Sequence, residues 1–267
     1  MAKRARTKNM TIISDMIYWI YRITSNIGRF ICFFIKILSC SSVIFQRPKL
    51  LIKQIFVLGN KSILITVISG LFIGCILGLQ GYYVLNKYKA EDVLGFTIAL
   101  ALVRELSPVV TAMVFIGRAG TAMTAETAFM KAEEQIIAME IMAINPAKII
   151  LAPRFWAGTI SVPLLSLIFS VSGIIGGWTI GVILSGIDQG VFWSQIQYGI
   201  SLKNDILNGL IKSIIFGIVA SLISLYEGWE SRSTPEGVSE SITNSVVNGY
   251  LSILAINFLL TIIMFTK

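Results

Sequence analysis

Apolar residues run along this chain in long blocks separated by short polar intervals. Five blocks each supply the roughly 20 apolar residues that cross the hydrocarbon core of a bilayer: about 62–85, 93–117, 155–185, 206–226 and 246–265. Residues 11–45 follow a different rhythm. Trp19, Ile23, Ile27, Phe30 and Phe34 recur at three- or four-residue steps, the spacing of one apolar helix face, until Pro48 interrupts the pattern. The expected fold is all-α and integral to the membrane. A basic N-terminal region, 1–61, carries an amphipathic interfacial helix, and a membrane domain, 62–267, carries five transmembrane helices. Between spans two and three, residues 118–154 are polar and helical in character but unable to span. Residues 186–205, with Phe192, Trp193 and Tyr198, suit an interfacial segment.

Composition strengthens the membrane assignment. Charged residues make up 13% of the 267, against about 25% in soluble domains, and mean hydropathy is +0.80. Net charge is +8, unevenly placed: Lys3, Arg4, Arg6, Lys8, Arg22, Arg29, Lys36, Arg47, Lys49, Lys53 and Lys61 precede Ser62, with Asp15 the one acid among them. Because aromatic and aliphatic residues interleave these charges at helical spacing, the expected partner is an anionic lipid surface rather than nucleic acid. Basic residues favour the cytoplasmic or stromal side. The N-terminal region, 118–154 and 227–245 are therefore expected there, and Lys267 on the opposite side. The start, MAKRARTKNM, lacks the h-region of a secretory signal, so insertion is expected through the spans themselves.

Two glycine rows stand out, Gly70, Gly74 and Gly78 in span one and Gly173, Gly177 and Gly181 in span three. Such rows let helix backbones approach closely, either within one subunit or across a dimer interface.

The chemistry available is narrow. There is no phosphate-binding loop ending in Lys-Ser or Lys-Thr, no nucleophile–base pair and no histidine, and Cys32, Cys40 and Cys75 lack metal spacing. No catalytic residue, metal or cofactor is expected in the chain. Arg104 and Glu105 interrupt the apolar run Val93–Ile116. A charge at that depth costs about 2.5 kcal/mol or more, so the two are expected either to form a structural ion pair or to face a substrate cavity. Pro108 is expected to loosen the helix beside them. Leu77, Gly81, Val84, Leu85 and Tyr88 share one face at the end of span one, fit for core packing or for a cavity wall. In the stretch from Ala119 to Asn145, Glu126, Met130 and Glu133 share a side, Glu134 lies beside Met130, and Ile137, Met139, Ile141 and Met142 add soft apolar groups. A helix of acids and methionines outside the bilayer is a protein-docking surface.

The run VRELSPVVTAMVFIGRAGTAMTAETAFMKAEEQIIAMEIMAINPAKIILAPRFWAG, from Val103 to Gly158, closely resembles the MlaE permease family, as do SGLFIGCILGLQGYYVL in span one and LIKSIIFG in span four. The resemblance implies a homodimeric ABC permease that moves phospholipid or a related polar lipid. Its implied partners are a separate cytoplasmic or stromal ATPase, which binds the ATP, and MCE-domain lipid-binding proteins. It implies that Arg104, Glu105 and Leu106, with Leu77, Val84, Leu85 and Tyr88, border a lipid pocket at the dimer centre. It also implies a coupling helix from Glu126 to Met142, including Met130, Lys131, Glu133, Glu134, Gln135 and Met139, that seats in the ATPase. Ser107 departs from the glycine common in the family, so looser helix packing is expected there. The Ile-, Lys- and Asn-rich composition resembles the plastid-encoded algal members, which places the chain in the inner envelope membrane of the chloroplast; a bacterial plasma membrane is the alternative. Two rival functions follow from the residues: an ion-coupled secondary transporter using Glu105, and a non-transporting scaffold for lipid-binding proteins.

Overall fold

The computed structural model describes residues 24–25, 28–42, 48–201 and 205–265. Trp19, Ile23, Ile27, Lys203 and Lys267 lie outside the described residues, as does the first part of the expected interfacial helix. The described chain is helical throughout its ordered elements: α1 (28–39), α2 (Pro48–Asn86), α3 (Glu91–Ala132), α4 (Gln135–Ile141), α5 (Ala147–Leu184), α6 (Gln189–Gly199), α7 (Leu207–Glu230) and α8 (Pro235–Phe265). Among the described residues, helices α2, α3, α5, α7 and α8 are the five long and apolar enough to cross a membrane. In lipid the backbone has no water to bond, so each span satisfies its own N–H and C=O groups.

Span boundaries differ from the sequence pattern because apolar blocks mark the hydrocarbon layer, not the helix ends. α2 begins at Pro48, ahead of its apolar block, and α3 runs on to Ala132 through residues that are polar in sequence. Proline is suited to a helix start because its missing N–H has no intrahelical partner there; Pro48 and Pro235 open α2 and α8. Turns are sharp: Lys89, Glu134 and Ala143 adopt φ near +53° to +58° between α2, α3, α4 and α5. Asp188 Oδ1 caps α6 by accepting from the Val191 N–H at 3.0 Å.

The glycine rows pack on one another inside a single chain. A Cβ placed on Gly74 would stand 1.9 Å from the Gly173 carbonyl oxygen, and one on Gly70 would meet Ser172 Oγ at 2.2 Å. Gly78 lies against Gly177, and Gly176 of the same α5 face lies against the Leu71 carbonyl, so α2 and α5 touch backbone to backbone. Gly181 instead admits Leu94 and Phe192.

Two apolar cores result. The larger, around Phe115, Phe155, Phe216 and Leu225, lies toward the end where α1 sits. The smaller, around Leu94, Leu102, Phe169 and Phe192, lies toward the α6 end. α1 closes the larger core by stacking Phe30 edge-on against Tyr226 with centroids 5.1 Å apart, and Lys36 sits over the Trp229 ring. The basic end thus gathers α1, α4 and the C-terminal ends of α3 and α7, the side expected to be cytoplasmic.

Wide π-type turns interrupt three spans, at Phe56–Asn60 in α2, Leu102–Leu106 and Ile116–Gly120 in α3, and Ala147–Leu151 and Thr179–Leu184 in α5. Such turns concentrate at functional sites. Arg118, within the second of the α3 turns, donates to the Val57 and Leu58 carbonyls and to Ser62 Oγ at 3.2–3.4 Å, fastening it to the wide turn of α2.

Candidate functional site

Pro108 has no N–H to offer the carbonyl four residues back. That carbonyl belongs to Arg104, and Lys212 Nζ approaches it at 3.4 Å from α7. The preceding turn is wide, with the Ser107 N–H bonded to the Leu102 carbonyl. Loosening at Pro108 is therefore real, and it places the two charged residues in the widened turn. Ser107 itself is not loosely packed: it is fully buried and its hydroxyl donates to the Ser166 carbonyl of α5.

Both charges are paired. Glu105 Oε1 accepts from Lys212 Nζ at 2.6 Å, and Lys212, with a side chain only 1% exposed, also donates to Thr261 Oγ1 of α8 at 3.0 Å. Thr261 in turn lies 3.3 Å from each Glu105 oxygen. Arg104 Nε donates to Asp205 Oδ1 at 2.6 Å, and its Nη2 meets the same oxygen. Asp205, 2% exposed, accepts the Ser201 N–H at 2.8 Å on its other oxygen. Burial pushes the Asp205 carboxyl up, but the Ser201 and Arg104 bonds outweigh it and hold it below the usual carboxylate range. One guanidinium and one carboxylate, those of Arg104 and Glu105, are each about a third exposed, while their partners are buried. The site thus presents charges of both signs, locked in register by α7 and α8.

The span-one face divides. Leu77, Leu85 and Leu106 pack together on the smaller core, whereas Val84 and Tyr88 are exposed, Tyr88 in the turn beyond the end of α2. Lys212, Asp205 and Thr261 were not singled out from sequence. Lys212 carried the same signal as Arg104, a lone charge inside an apolar block.

The second candidate region is not one helix from Glu126 to Met142. α3 ends at Ala132, Glu134 turns left-handed, and α4 begins at Gln135. Two of its residues are internal fasteners. Glu126 Oε2 accepts from Arg154 Nη2 of α5 at 2.7 Å, and Lys131 Nζ donates to the Trp229 carbonyl of α7 at 2.7 Å. Met130 and Met139 are half-buried. The outward face is made by Glu133, Glu134, Gln135, Ile137, Ile141 and Met142, with Ile141 80% exposed. Because the Arg154 side chain is almost wholly buried, Glu126→Ala is expected to lower stability by about 1–3 kcal/mol. Thermal unfolding in detergent measures this; an unchanged midpoint would return Glu126 to the docking face.

A protein-family model described as Permease MlaE matches residues 51–263. The chain is 51% identical over 216 residues to the intermembrane phospholipid transport system permease protein MlaE of Haemophilus influenzae, covering 81% of this chain and 83% of that one. It is 32% identical over 249 residues to a probable ABC transporter permease protein of Rickettsia conorii, covering 91% and 94%. It is 30% identical over 247 residues to the probable ABC transporter permease protein ycf63 of Pyropia yezoensis, covering 92% of each.

Proposed function

Because the chain belongs to the MlaE permease family, we propose that it is the membrane permease subunit of an ABC transporter for phospholipid or a closely related polar lipid, powered by a separate ATPase. It is a multi-pass membrane protein with five candidate spans, and relatives occur in bacteria and in an alga. The observation that carries the reading is the charged cluster at the widened turn of α3, where Arg104 meets Asp205 and Glu105 meets Lys212. A phospholipid headgroup carries the opposite charges such a surface can meet, and irregular helices at membrane depth line transport sites.

A second copy of the chain would complete the pocket. α8 carries Thr261 at the cluster, and along one face it exposes Val247, Leu251, Leu254 and Phe258. That apolar row suits a helix–helix seam, which would bring two Glu105 clusters to a shared cavity walled by Leu77, Val84, Leu85, Tyr88 and Leu106. MCE-domain lipid-binding proteins would deliver or receive the cargo on the far side. Neither nucleic acid nor a cofactor held by this chain enters the scheme.

The ATPase would seat on α4 and its flanks. Ile137, Ile141 and Met142 are apolar groups turned outward at the end expected to be cytoplasmic, and they are framed by Glu133, Glu134 and Gln135. Exposed apolar clusters rimmed by polar residues mark protein contacts. Closure of the ATPase would push α4 and the end of α3 that precedes it, and the push would pass from α3 into α5 through the Glu126–Arg154 fastener and into α7 through the Lys131–Trp229 fastener.

Purification of the native complex followed by ATP-driven lipid transfer between liposomes tests the function. A complex without a nucleotide-binding subunit, or lipid transfer by the chain alone on an ion gradient, would refute it. Ile141→Asp is expected to weaken ATPase association roughly tenfold or more, the loss of an interface anchor. The melting temperature should barely move, as for other exposed sites. Undiminished association would remove α4 from the interface.

A further inference from the structure

Away from the charged cluster, a groove of about 560 Å³ runs along the outer wall between the first turns of α2 and the middle of α5. Ile52, Ile55, Phe56 and Ile63 form one side, and Leu164 and Ile168 form part of the other. The wide turn Phe56–Asn60 bows α2 at this point, and Gly59 there lies against Ser161. Ser161 is 1% exposed, lines the groove, and its hydroxyl has no hydrogen-bond partner. A buried hydroxyl left unpaired in an apolar setting is costly, so this one is placed to donate to whatever fills the groove.

Depth and charge narrow the occupant. Arg118 bonds the carbonyls of the same wide turn, and Asn60 and Lys61 are exposed beside it. Charges cluster where hydrocarbon gives way to headgroups, so Ser161 sits at the level of a lipid's glycerol esters in the cytoplasmic leaflet. Lys49 and Lys53 are exposed and precede Ile52, Phe56 and Asn60 by helical steps, so they share the groove side of α2. Two cations at the headgroup level complement a phosphate. Apart from Asn60 and Ser161 the lining offers only apolar groups, the surface that an acyl chain of such a lipid would cover.

We propose that each chain holds one phospholipid on this outer wall, preferring an anionic headgroup and distinct from the transported cargo. One acyl chain fills the groove, an ester carbonyl accepts from the Ser161 hydroxyl, and Lys49 and Lys53 hold the headgroup. The site does not depend on the transport reading, because it shares no residue with the Glu105 cluster.

The test uses the intact permease complex, equilibrated with liposomes of phosphatidylethanolamine and phosphatidylglycerol in equal parts, extracted in mild detergent and weighed by native mass spectrometry. The wild type should retain about one more phospholipid per chain than Leu164→Trp, which fills the groove from a half-exposed position. That lipid should be mainly phosphatidylglycerol. Lys49→Glu with Lys53→Glu should cut the preference roughly tenfold or more, given about 1 kcal/mol per lysine at an anionic headgroup. Glu105→Ala combined with Lys212→Met, which leaves no buried charge unpaired at that cluster, should lose transport yet keep this lipid, and Leu164→Trp should do the reverse, so failure of one reading is separable from failure of the other. Equal retention by Leu164→Trp and wild type overturns the proposal. So does a benzophenone side chain introduced at Ile52 that labels a polypeptide, whether a second copy or another subunit, instead of lipid.

Discussion

Gly74→Ala, the addition of one methyl group, is expected to lower the stability of the folded permease by about 3 kcal/mol, the upper end of overpacking costs. The new Cβ would stand 1.9 Å from the Gly173 carbonyl oxygen and 2.8 Å from the Gly173 Cα. Both obstacles are backbone, so no rotamer change relieves them. Relief requires α2 and α5 to separate, which would also strip the contacts of Gly70 with Ser172 and of Gly78 with Gly177. The melting temperature in detergent should fall by roughly 10 °C. Gly28→Ala is the control, since nothing lies within 4 Å of that position. The same measurement decides what the glycine row is for. A row forming the dimer seam would let Gly74→Ala dissociate the dimer while leaving the monomer's midpoint unchanged; a row inside one chain lowers the midpoint itself.

How much of this was legible beforehand depended on how local each signal is. Spans are local, because twenty apolar residues announce themselves, and each of the five blocks matches one of the five membrane helices, overrunning it by no more than a residue. Glycine spacing showed that close approach occurs, but it could not name the opposite helix, because the same row serves an internal or an external partner. Helix ends were misjudged wherever a helix outruns the bilayer, as α3 does to Ala132. The break at Glu134 was invisible, since a non-glycine residue in the left-handed region leaves no mark in composition. At the charged cluster, Arg104 and Glu105 were found by their cost in lipid, but their partners lie on other spans. Asp205 is more than a hundred residues from Arg104 in sequence, and only the fold brings them together. Lys212 was the one partner within reach of the same reasoning.

Glu105→Ala is expected to be the most damaging single change at that cluster, and a second substitution separates its two causes. Removing the carboxylate leaves Lys212, with its side chain 1% exposed, charged and without that counter-ion. Breaking a buried pair from one side costs about 3–5 kcal/mol. Lys212→Met alone should cost less, because the Glu105 left behind is a third exposed and keeps the Thr261 hydroxyl as a hydrogen-bond partner. In Glu105→Ala combined with Lys212→Met, neither charge is left and the methionine keeps most of the lysine's volume. Replacing a buried ion pair with apolar residues is often neutral or stabilising, so the melting temperature should return to near the wild-type value. Lipid transfer should not return with it. A pocket that meets a phospholipid headgroup through Glu105 and Arg104 loses half of its polar surface in the double variant. ATP-driven transfer between liposomes should then stay at least tenfold below wild type, the cost of about 1.4 kcal/mol of lost lipid interaction. Recovery of both stability and transfer would reduce the cluster to a structural fastener between α3, α7 and α8. Recovery of stability alone makes Glu105 and Lys212 part of the path the lipid takes.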